Sequence, residues 1–318
     1  MKKSLVLMLS LTVSSSLLAG CGSQAVSSTE NVQETIVAES SVVESSETLE
    51  TQIQESEVSL AKTVNETGIS ENTYSPVTIE NYNMTTEYTQ MPTSVVTLTL
   101  NSSEIISALG AGDSVVAIAR NSNVLEDVLP EYQDGLKNAE FPEAINTGIP
   151  TLEGMLGLSP DLIVANSYYF NVPTFGTVED YKGNNANLYI TEGSYVAGCT
   201  IENTYNDIRN LGAIFGKESK AEELISDMQA RIEAVTEKVS DRDKVIVMAF
   251  DSMSDDLPII AGGTGLEQNL LERAGGENIF EDIEKQFGSV SFEEIISRDP
   301  EVIIIHDYTN EEGNAQAK

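Results

Sequence analysis

A few residue types bound the chemistry open to this chain. It has one histidine, His306, and two cysteines, Cys21 and Cys199, in 318 residues. No GxSxG, HExxH or CxxC pattern occurs, and a single imidazole leaves little for acid–base relays or catalytic triads. Sites for bare zinc or manganese generally use several histidines, so one argues against them as well. Nothing in "VAGCTIE" supplies a basic group to lower the Cys199 pKa, and a small buried thiol is expected there. What remains is recognition chemistry. The stretch from Thr151 to Tyr168, "TLEGMLGLSPDLIVANSY", returns 140 residues later as "SFEEIISRDPEVIIIHDY", Ser291 to Tyr308. Glu153 falls on Glu293, Pro160 on Pro300, Asp161 on Glu301 and Tyr168 on Tyr308. Two equivalent acids on two equivalent stretches suit one partner with two-fold symmetry.

The elements around these residues follow from pattern. In each copy a short helix is broken before proline and an apolar strand follows. "DLIVA" is apolar on both faces, as strands of helix-covered parallel sheets are. "SVVTLTL" (94–100) and "DSVVAIA" (113–119) read as strands by their β-branched content. Between them "NSSEIISALGAG" predicts a short helix that Ser102 or Ser103 can cap and Gly110 can end. Ala221, Leu224, Ile225, Met228, Ile232, Val235 and Val239 recur in steps of three and four, which predicts one helix over 218–239, ~33 Å long. The pattern then restarts with "KVIVMAF" (244–250), "LPIIAGG" (257–263) and a helix in "GLEQNLLERAGG". This alternation predicts an α/β fold, arranged as lobe, long helix, lobe. "IAGGTGLEQ" lacks the Lys-Ser/Thr of a P-loop and the GxGxxG spacing, so its glycines predict a tight strand-to-helix turn.

Composition narrows the partners. The chain carries 51 Asp and Glu against 17 Lys and Arg, a net charge of −34, which repels nucleic acid and anionic lipid surfaces. Lys2 and Lys3 precede an apolar run, Leu5 to Leu18, too short to span a bilayer comfortably. The run ends in "LLAGCGS", which resembles the lipobox of bacterial lipoproteins, where the cysteine is diacylated and the preceding peptide is removed. Two acyl chains on Cys21 would anchor the chain stably. Residues 1–20 therefore read as a lipoprotein signal peptide. Residues 21–75 read as an acidic, disordered Ser/Thr/Glu-rich tether, with ten Glu and one Lys over 22–75. The expected folded parts are an N-terminal α/β lobe (76–200), a connecting helical segment (201–240) and a C-terminal α/β lobe (241–318). The last ends on an uncovered strand and a polar tail, "TNEEGNAQAK", and reads as truncated.

"VVTLTLNSSEIISALGAGDSVVAIA", "PTLEGMLGLSPDLIVA", "LLERAGGENIF" and "VSFEEIISRDPEVIII" together resemble substrate-binding lipoproteins of iron-siderophore, haem and cobalamin ABC importers. The resemblance runs over about residues 93 to 308. It implies two Rossmann-like lobes joined by a single long rigid helix, with the ligand cleft between the lobes. It also implies that Glu153 and Glu293 each pair with arginines of a permease dimer, and that the protein is lipid-anchored on the extracellular face of a Gram-positive cell. It implies a monomer that touches the membrane through its anchor only.

In open α/β sheets ligands bind beyond the carboxyl ends of strands. The positions there are Asn101, Ser102, Arg120, Asn166, Tyr168 and Tyr169 in the first lobe. The second offers Ser252, Met253, Gly263, Thr264, His306 and Tyr308. Tyrosine rings suit an iron chelate or macrocycle. His306 fits either an axial place on haem iron, with Met253 or a tyrosine opposite, or a plain strand end bonded to backbone. With Arg120 the one arginine well placed, a highly anionic triscatecholate is disfavoured. The leading expectation is capture of a ferric siderophore for an ABC permease, with no cofactor and no enzymatic activity. A haem- or cobalamin-binding protein of the same class is the alternative, as is a surface adhesin or signalling lipoprotein.

Overall fold

The doubled stretch folds twice in the same way. The computed structural model describes residues 7–9, 74–119, 125, 128–145 and 148–306. Thr151 caps helix α3 (Leu152–Leu156), its Oγ1 accepting from the Gly154 amide at 3.1 Å, and Ser291 caps α8 (Phe292–Arg298), its Oγ accepting from the Glu294 amide at 3.1 Å. Each cap satisfies one of the amides that a helix start leaves without a partner. Both helices are followed by a left-handed residue, Ser159 (φ 50°) and Asp299 (φ 47°), which turns the chain into its proline. The strands β6 (Leu162–Ala165) and β12 (Val302–His306) then enter their sheets. Even the entry bond repeats: Asp161 N donates to Ser94 O at 2.9 Å and Glu301 N to Ile246 O at 2.8 Å.

The first sheet is wholly parallel, in the order β5 (Val115–Ile118), β4 (Val95–Thr97), β6, β7 (Asn187–Ile190). Alternate residues of "LIVA" enter different cores, which is why the strand is apolar throughout. Leu162 and Val164 join Ile106, Ile118, Ile208 and Leu211 on one face, and Ile163 and Ala165 join Met155, Phe175, Tyr181 and Leu188 on the other. The second sheet centres on β8 (Val245–Ser254), which is parallel to β10 (Gly276–Asn278) and β12. Here the restarted alternation departs from expectation. "LPIIA" is β9 (Leu257–Ala261), folded back antiparallel on β8 through Asp255 and Asp256 (φ 49° and 62°), and β11 (Phe287–Ser289) pairs antiparallel with β9. Two successive left-handed residues make the mirror-image turn that hairpins favour, so the second sheet is mixed. Leu7–Leu9 forms a strand, β1, parallel to β12. It lies within the stretch read as a signal peptide and takes the place beside β12 that β7 takes beside β6.

Helix α1 (Leu100–Ala108) begins one turn before the expected cap. Thr99 is the capping residue without a side-chain cap bond. Ser102 and Ser103 are buried and bonded instead to the Thr99 and Thr97 hydroxyls at 2.7 and 2.6 Å. Gly110 does end the helix, at φ 76°. After the short helices α2 (Pro130–Leu136) and α4 (Val178–Gly183), helix α5 (Ile201–Ile214) starts from a capping box made by Thr200 and Asn203. Helix α6 spans Glu218–Val239, as the periodicity predicts. Ala221 and Ile225 are buried and Leu224, Met228 and Ile232 pack on the core that α5 covers. Leu266, at the start of α7 (Leu266–Arg273), packs on that same core, and Asn269 Oδ1 accepts from Ile201 N at 3.3 Å, so α7 is tied to the first lobe. Cys199 is buried, and its thiol contacts the Gly193 carbonyl at 3.7 Å. Cys21 and the acidic tether lie outside the described residues.

Candidate functional site

The carboxyl edge of the first sheet is built by a hairpin that the sequence pattern did not announce. Strands β2 (Val77–Asn81) and β3 (Met84–Tyr88) turn on Tyr82 and Asn83, both left-handed (φ 51° and 57°). Asn81 then acts as an extra strand residue for β7: its Oδ1 accepts from Ile190 N at 2.7 Å and its Nδ2 donates to Ile190 O at 2.8 Å. That bond pair sets the hairpin tip at the end of β7 and carries Tyr82 with it. The Tyr82 ring stacks on Phe170 (6.0 Å between centroids) and meets Tyr195 edge-on (5.1 Å), geometries that aromatic pairs prefer. The Tyr195 hydroxyl also accepts from Tyr82 N at 3.2 Å.

Hydroxyl bonds lock the loops on which these rings sit. Ser167 N donates to Ser194 Oγ at 2.8 Å, Ser167 Oγ donates to Ser194 O at 2.6 Å, and Thr191 Oγ1 donates to Asn166 Oδ1 at 2.5 Å. Beneath them Asp207 is buried, accepting from Tyr189 Oη at 2.7 Å and from Glu192 N at 3.1 Å. Burial pushes its carboxyl up to about 7, against the opposing pull of those donors. Of the two expected tyrosines, Tyr169 is drawn into the core and its hydroxyl donates to Leu98 O at 3.0 Å, whereas Tyr168 is 41% exposed with its ring 4.5 Å from that of Tyr169. Asn101 is exposed on α1, and Ser102 is buried. Arg120 lies outside the described residues.

The second edge is charged. His306, at the end of β12, places Nδ1 3.2 Å from Asp251 Oδ1 and Nε2 2.8 Å from Glu267 Oε1. Those two carboxylates, Asp251 first, raise its pKa from 6.5 to about 9, so it is an imidazolium at neutral pH. The partners are thus carboxylates rather than the backbone groups expected of a plain strand-end histidine. With both ring nitrogens engaged, this arrangement offers no lone pair to a haem iron. Ser252 Oγ donates to Asp251 Oδ2 at 2.7 Å, and Met253 is exposed. Thr264 is half-buried in the glycine turn. The amides of that turn are engaged by backbone: Gly262 N donates to Gln286 O at 2.9 Å and Gly263 N to Ile283 O at 2.8 Å. A Cβ on Gly263 would lie 1.9 Å from Glu281 O, so glycine is needed for close backbone packing rather than to cradle a phosphate. Tyr308 lies outside the described residues. No cluster of His, Cys, Asp and Glu among the described residues could hold a metal ion.

Glu153 and Glu293 are both exposed, each near the start of its capped helix. The apolar residues beside them differ. Leu152 and Leu156 are packed against the first lobe, whereas Phe292 is 53% and Ile296 75% exposed.

Residues 95–318 match the periplasmic binding protein family, and the chain belongs to it. It is 26% identical over 220 residues to a vitamin B12-binding protein of Vibrio campbellii, covering 66% of this chain and 69% of that protein. It is 25% identical over 240 residues to an ABC transporter substrate-binding lipoprotein of Bacillus subtilis, covering 73% and 69%. Its fold is similar to a periplasmic binding protein from Veillonella parvula (TM-score 0.63, 23% identity, 74% and 78% covered). A second likeness is to an Fe3+-hydroxamate transport protein from Saccharomonospora viridis (TM-score 0.62, 21% identity, 76% and 83% covered). The protein is a substrate-binding component of an ABC importer, not an enzyme, and it works with a permease on a small-molecule ligand.

Proposed function

We propose that this chain captures a large chelate or macrocycle carrying little negative charge, with a corrinoid the best fit, and hands it to a permease at the outer face of the membrane. The observation that carries the reading is the contrast between ring area and cationic charge at the strand ends. Tyr82, Phe170, Tyr195 and Tyr168 offer aromatic surface. Apart from Arg120, which follows β5, no Lys or Arg occurs in the strand-end segments 98–101, 166–171, 191–196 and 251–256. Apolar rings with a few hydroxyl and amide tips are the usual lining of a site for a bulky, weakly charged ligand. Two carboxylates around His306 oppose an anionic chelate further. The vitamin B12-binding relatives agree with this choice over a ferric siderophore.

Ligand-induced stabilisation tests it, since binding to the native state raises the melting temperature. Cyanocobalamin should raise it, and an anionic ferric triscatecholate should not. A neutral ferric hydroxamate that stabilises in place of cyanocobalamin would move the reading to a siderophore. Stabilisation by the triscatecholate alone would overturn it. Alanine at Tyr82 or at Tyr168 should weaken the cognate ligand by about 1–2 kcal/mol, roughly tenfold.

The anchor and the docking face belong to the same proposal. Cys21 carries the lipid, and Cys21→Ser should shift the protein from the membrane fraction to the medium. Retention of that variant in the membrane would rule the anchor out. No helix among the described residues is long and apolar enough to cross a membrane. Glu153 and Glu293 dock the lobes on the permease.

A further inference from the structure

Away from both strand edges, α6 and α7 face each other with matching stripes and do not close. Met228, Arg231, Ile232 and Val235 of α6, spaced three and four apart, oppose Leu270, Arg273 and Ala274 at the end of α7. Such stripes ordinarily interdigitate. They are tied at one end, where Thr236 Oγ1 lies 3.1 Å from both Ile232 O and Arg273 O. Beside that seam the helices leave a cavity of about 440 Å³. Its floor is apolar, and Val235 (44%) and Leu270 (39%) remain exposed at its rim.

Two guanidinium groups line this apolar space. Arg209 and Arg298 each hold carboxylates, with Glu222 at 2.8 Å and with Asp282 at 2.6 Å. Arg231 and Arg273 form no ion pair among the described residues, and Arg273 Nε is buried without a hydrogen-bond partner. In a chain of net charge −34, two unmatched arginines beside one apolar cavity run against the composition. A buried donor left open is costly, and a missing acceptor is its ordinary explanation.

We propose that the α6/α7 cavity binds a small amphiphilic carboxylate of the fatty-acid class. Its chain lies on Met228, Ile232, Leu270 and Ala274, and its carboxylate is shared by Arg231 and Arg273. The cavity falls in the size range of small-molecule sites, and the arginine fork suits a carboxylate. Because α7 carries Glu267 to His306 and also packs on the first-lobe core, an occupant here would touch the helix shared by the two lobes.

Calorimetric titration of the full-length chain with dodecanoate below its micelle threshold tests the assignment. One saturable site is expected. Dodecyltrimethylammonium, with the same tail and the opposite charge, should bind at least tenfold more weakly. Arg231→Gln combined with Arg273→Gln should lower dodecanoate affinity more than tenfold. Ala274→Phe, which fills the floor and leaves both arginines in place, should block binding without removing charge. Cyanocobalamin stabilisation should be unchanged in every variant, which separates this site from the strand-end site and also reports folding. Equal binding of the cation and the anion, dodecanoate binding that survives both variants, or no saturable binding in the parent chain would each overturn the proposal.

Discussion

The two copies of the doubled stretch share a backbone and differ in what they hold at its end. Asn166 and His306 occupy the same position, 140 residues apart. In the first lobe that position is a neutral amide bonded to Thr191, in a setting of tyrosines and hydroxyls. In the second it is an imidazolium between two carboxylates. The difference shows which part of the repeat is constrained. Cap, left-handed turn and strand entry are retained because each satisfies backbone groups that would otherwise be orphaned. The strand-end side chains face no such requirement, and they differ: one edge is aromatic and rich in hydroxyls, and the other sets an imidazolium between two carboxylates. A ligand held by both would be bulky and apolar on one side and rich in hydrogen-bonding groups on the other.

The largest effect should come from the feature that both copies keep. Glu153 and Glu293 are exposed in both lobes, and in the proposed docking a two-fold permease would offer each the same basic pocket. Glu153→Lys together with Glu293→Lys should reduce uptake in cells to background while ligand binding to the purified protein stays intact. Each single change should impair uptake. Because Phe292 and Ile296 add exposed apolar surface beside Glu293 alone, the second-lobe change should be the milder of the two. Normal transport by the double variant would leave the doubled acids as helix-start residues and nothing more.

A second, smaller set of effects separates the lobes by pH. His306 has a folded pKa raised from 6.5 to about 9 by Asp251 and Glu267. The sign follows from linkage. The folded chain holds this proton more tightly than the unfolded one, so the stabilisation is fully present below about pH 6.5 and is lost as pH rises through 9. Asp207 has the same sign in a lower pH window. Burial raises its pKa from 3.8 to about 7, so ionising it costs the folded state, and stability from this group declines as pH climbs from about 4 to 7. Melting curves from pH 4 to 10 check both. His306→Asn, which writes the first lobe's residue into the second, should destabilise at pH 7 and flatten the loss between pH 6.5 and 9. Asp207→Asn should be stabilising at pH 8 and nearly silent at pH 4. With one histidine in the chain, its proton resonance alone can report the His306 titration. A midpoint near 6.5 would break the contrast.

Much of this frame was legible in the sequence, and the reason is local. The bounds of α6 follow from a three-and-four spacing that needs no knowledge of the rest of the fold. The repeat shows itself because its caps and breakers, Thr151, Ser291, Pro160 and Pro300, act within a few residues. The two hairpins were missed because each turns without glycine, on Tyr82-Asn83 and on Asp255-Asp256, where sequence patterns look for Asn-Gly or Asp-Gly. Asp251 and Glu267 reach His306 from 55 and 39 residues away, and no spacing rule connects them. The same limit hid Tyr82 from the candidate site, since its place depends on Asn81 bonding to a strand more than a hundred residues on. Tyr169, expected at the site, was instead drawn inward by the Leu98 carbonyl.

The smallest effects test the shared backbone itself. Thr151 and Ser291 each accept one helix-start amide at 3.1 Å, and removing such a cap typically costs about 1 kcal/mol. Thr151→Ala and Ser291→Ala should therefore lower stability by similar amounts, shifting the denaturant midpoint with the slope unchanged. The surroundings give a reason for a modest inequality. Leu152 and Leu156 hold α3 against the first lobe even without its cap. Phe292 and Ile296 are exposed, so α8 has fewer apolar contacts on that side to fall back on. Ser291→Ala should be the costlier by a few tenths of a kcal/mol, with faster amide exchange at Glu294 than at Gly154 in the matching variants. Equal exchange would show that the cap alone sets helix-start stability in both lobes. A silent Ser291→Ala would mean that the second copy keeps the geometry of the cap without depending on it.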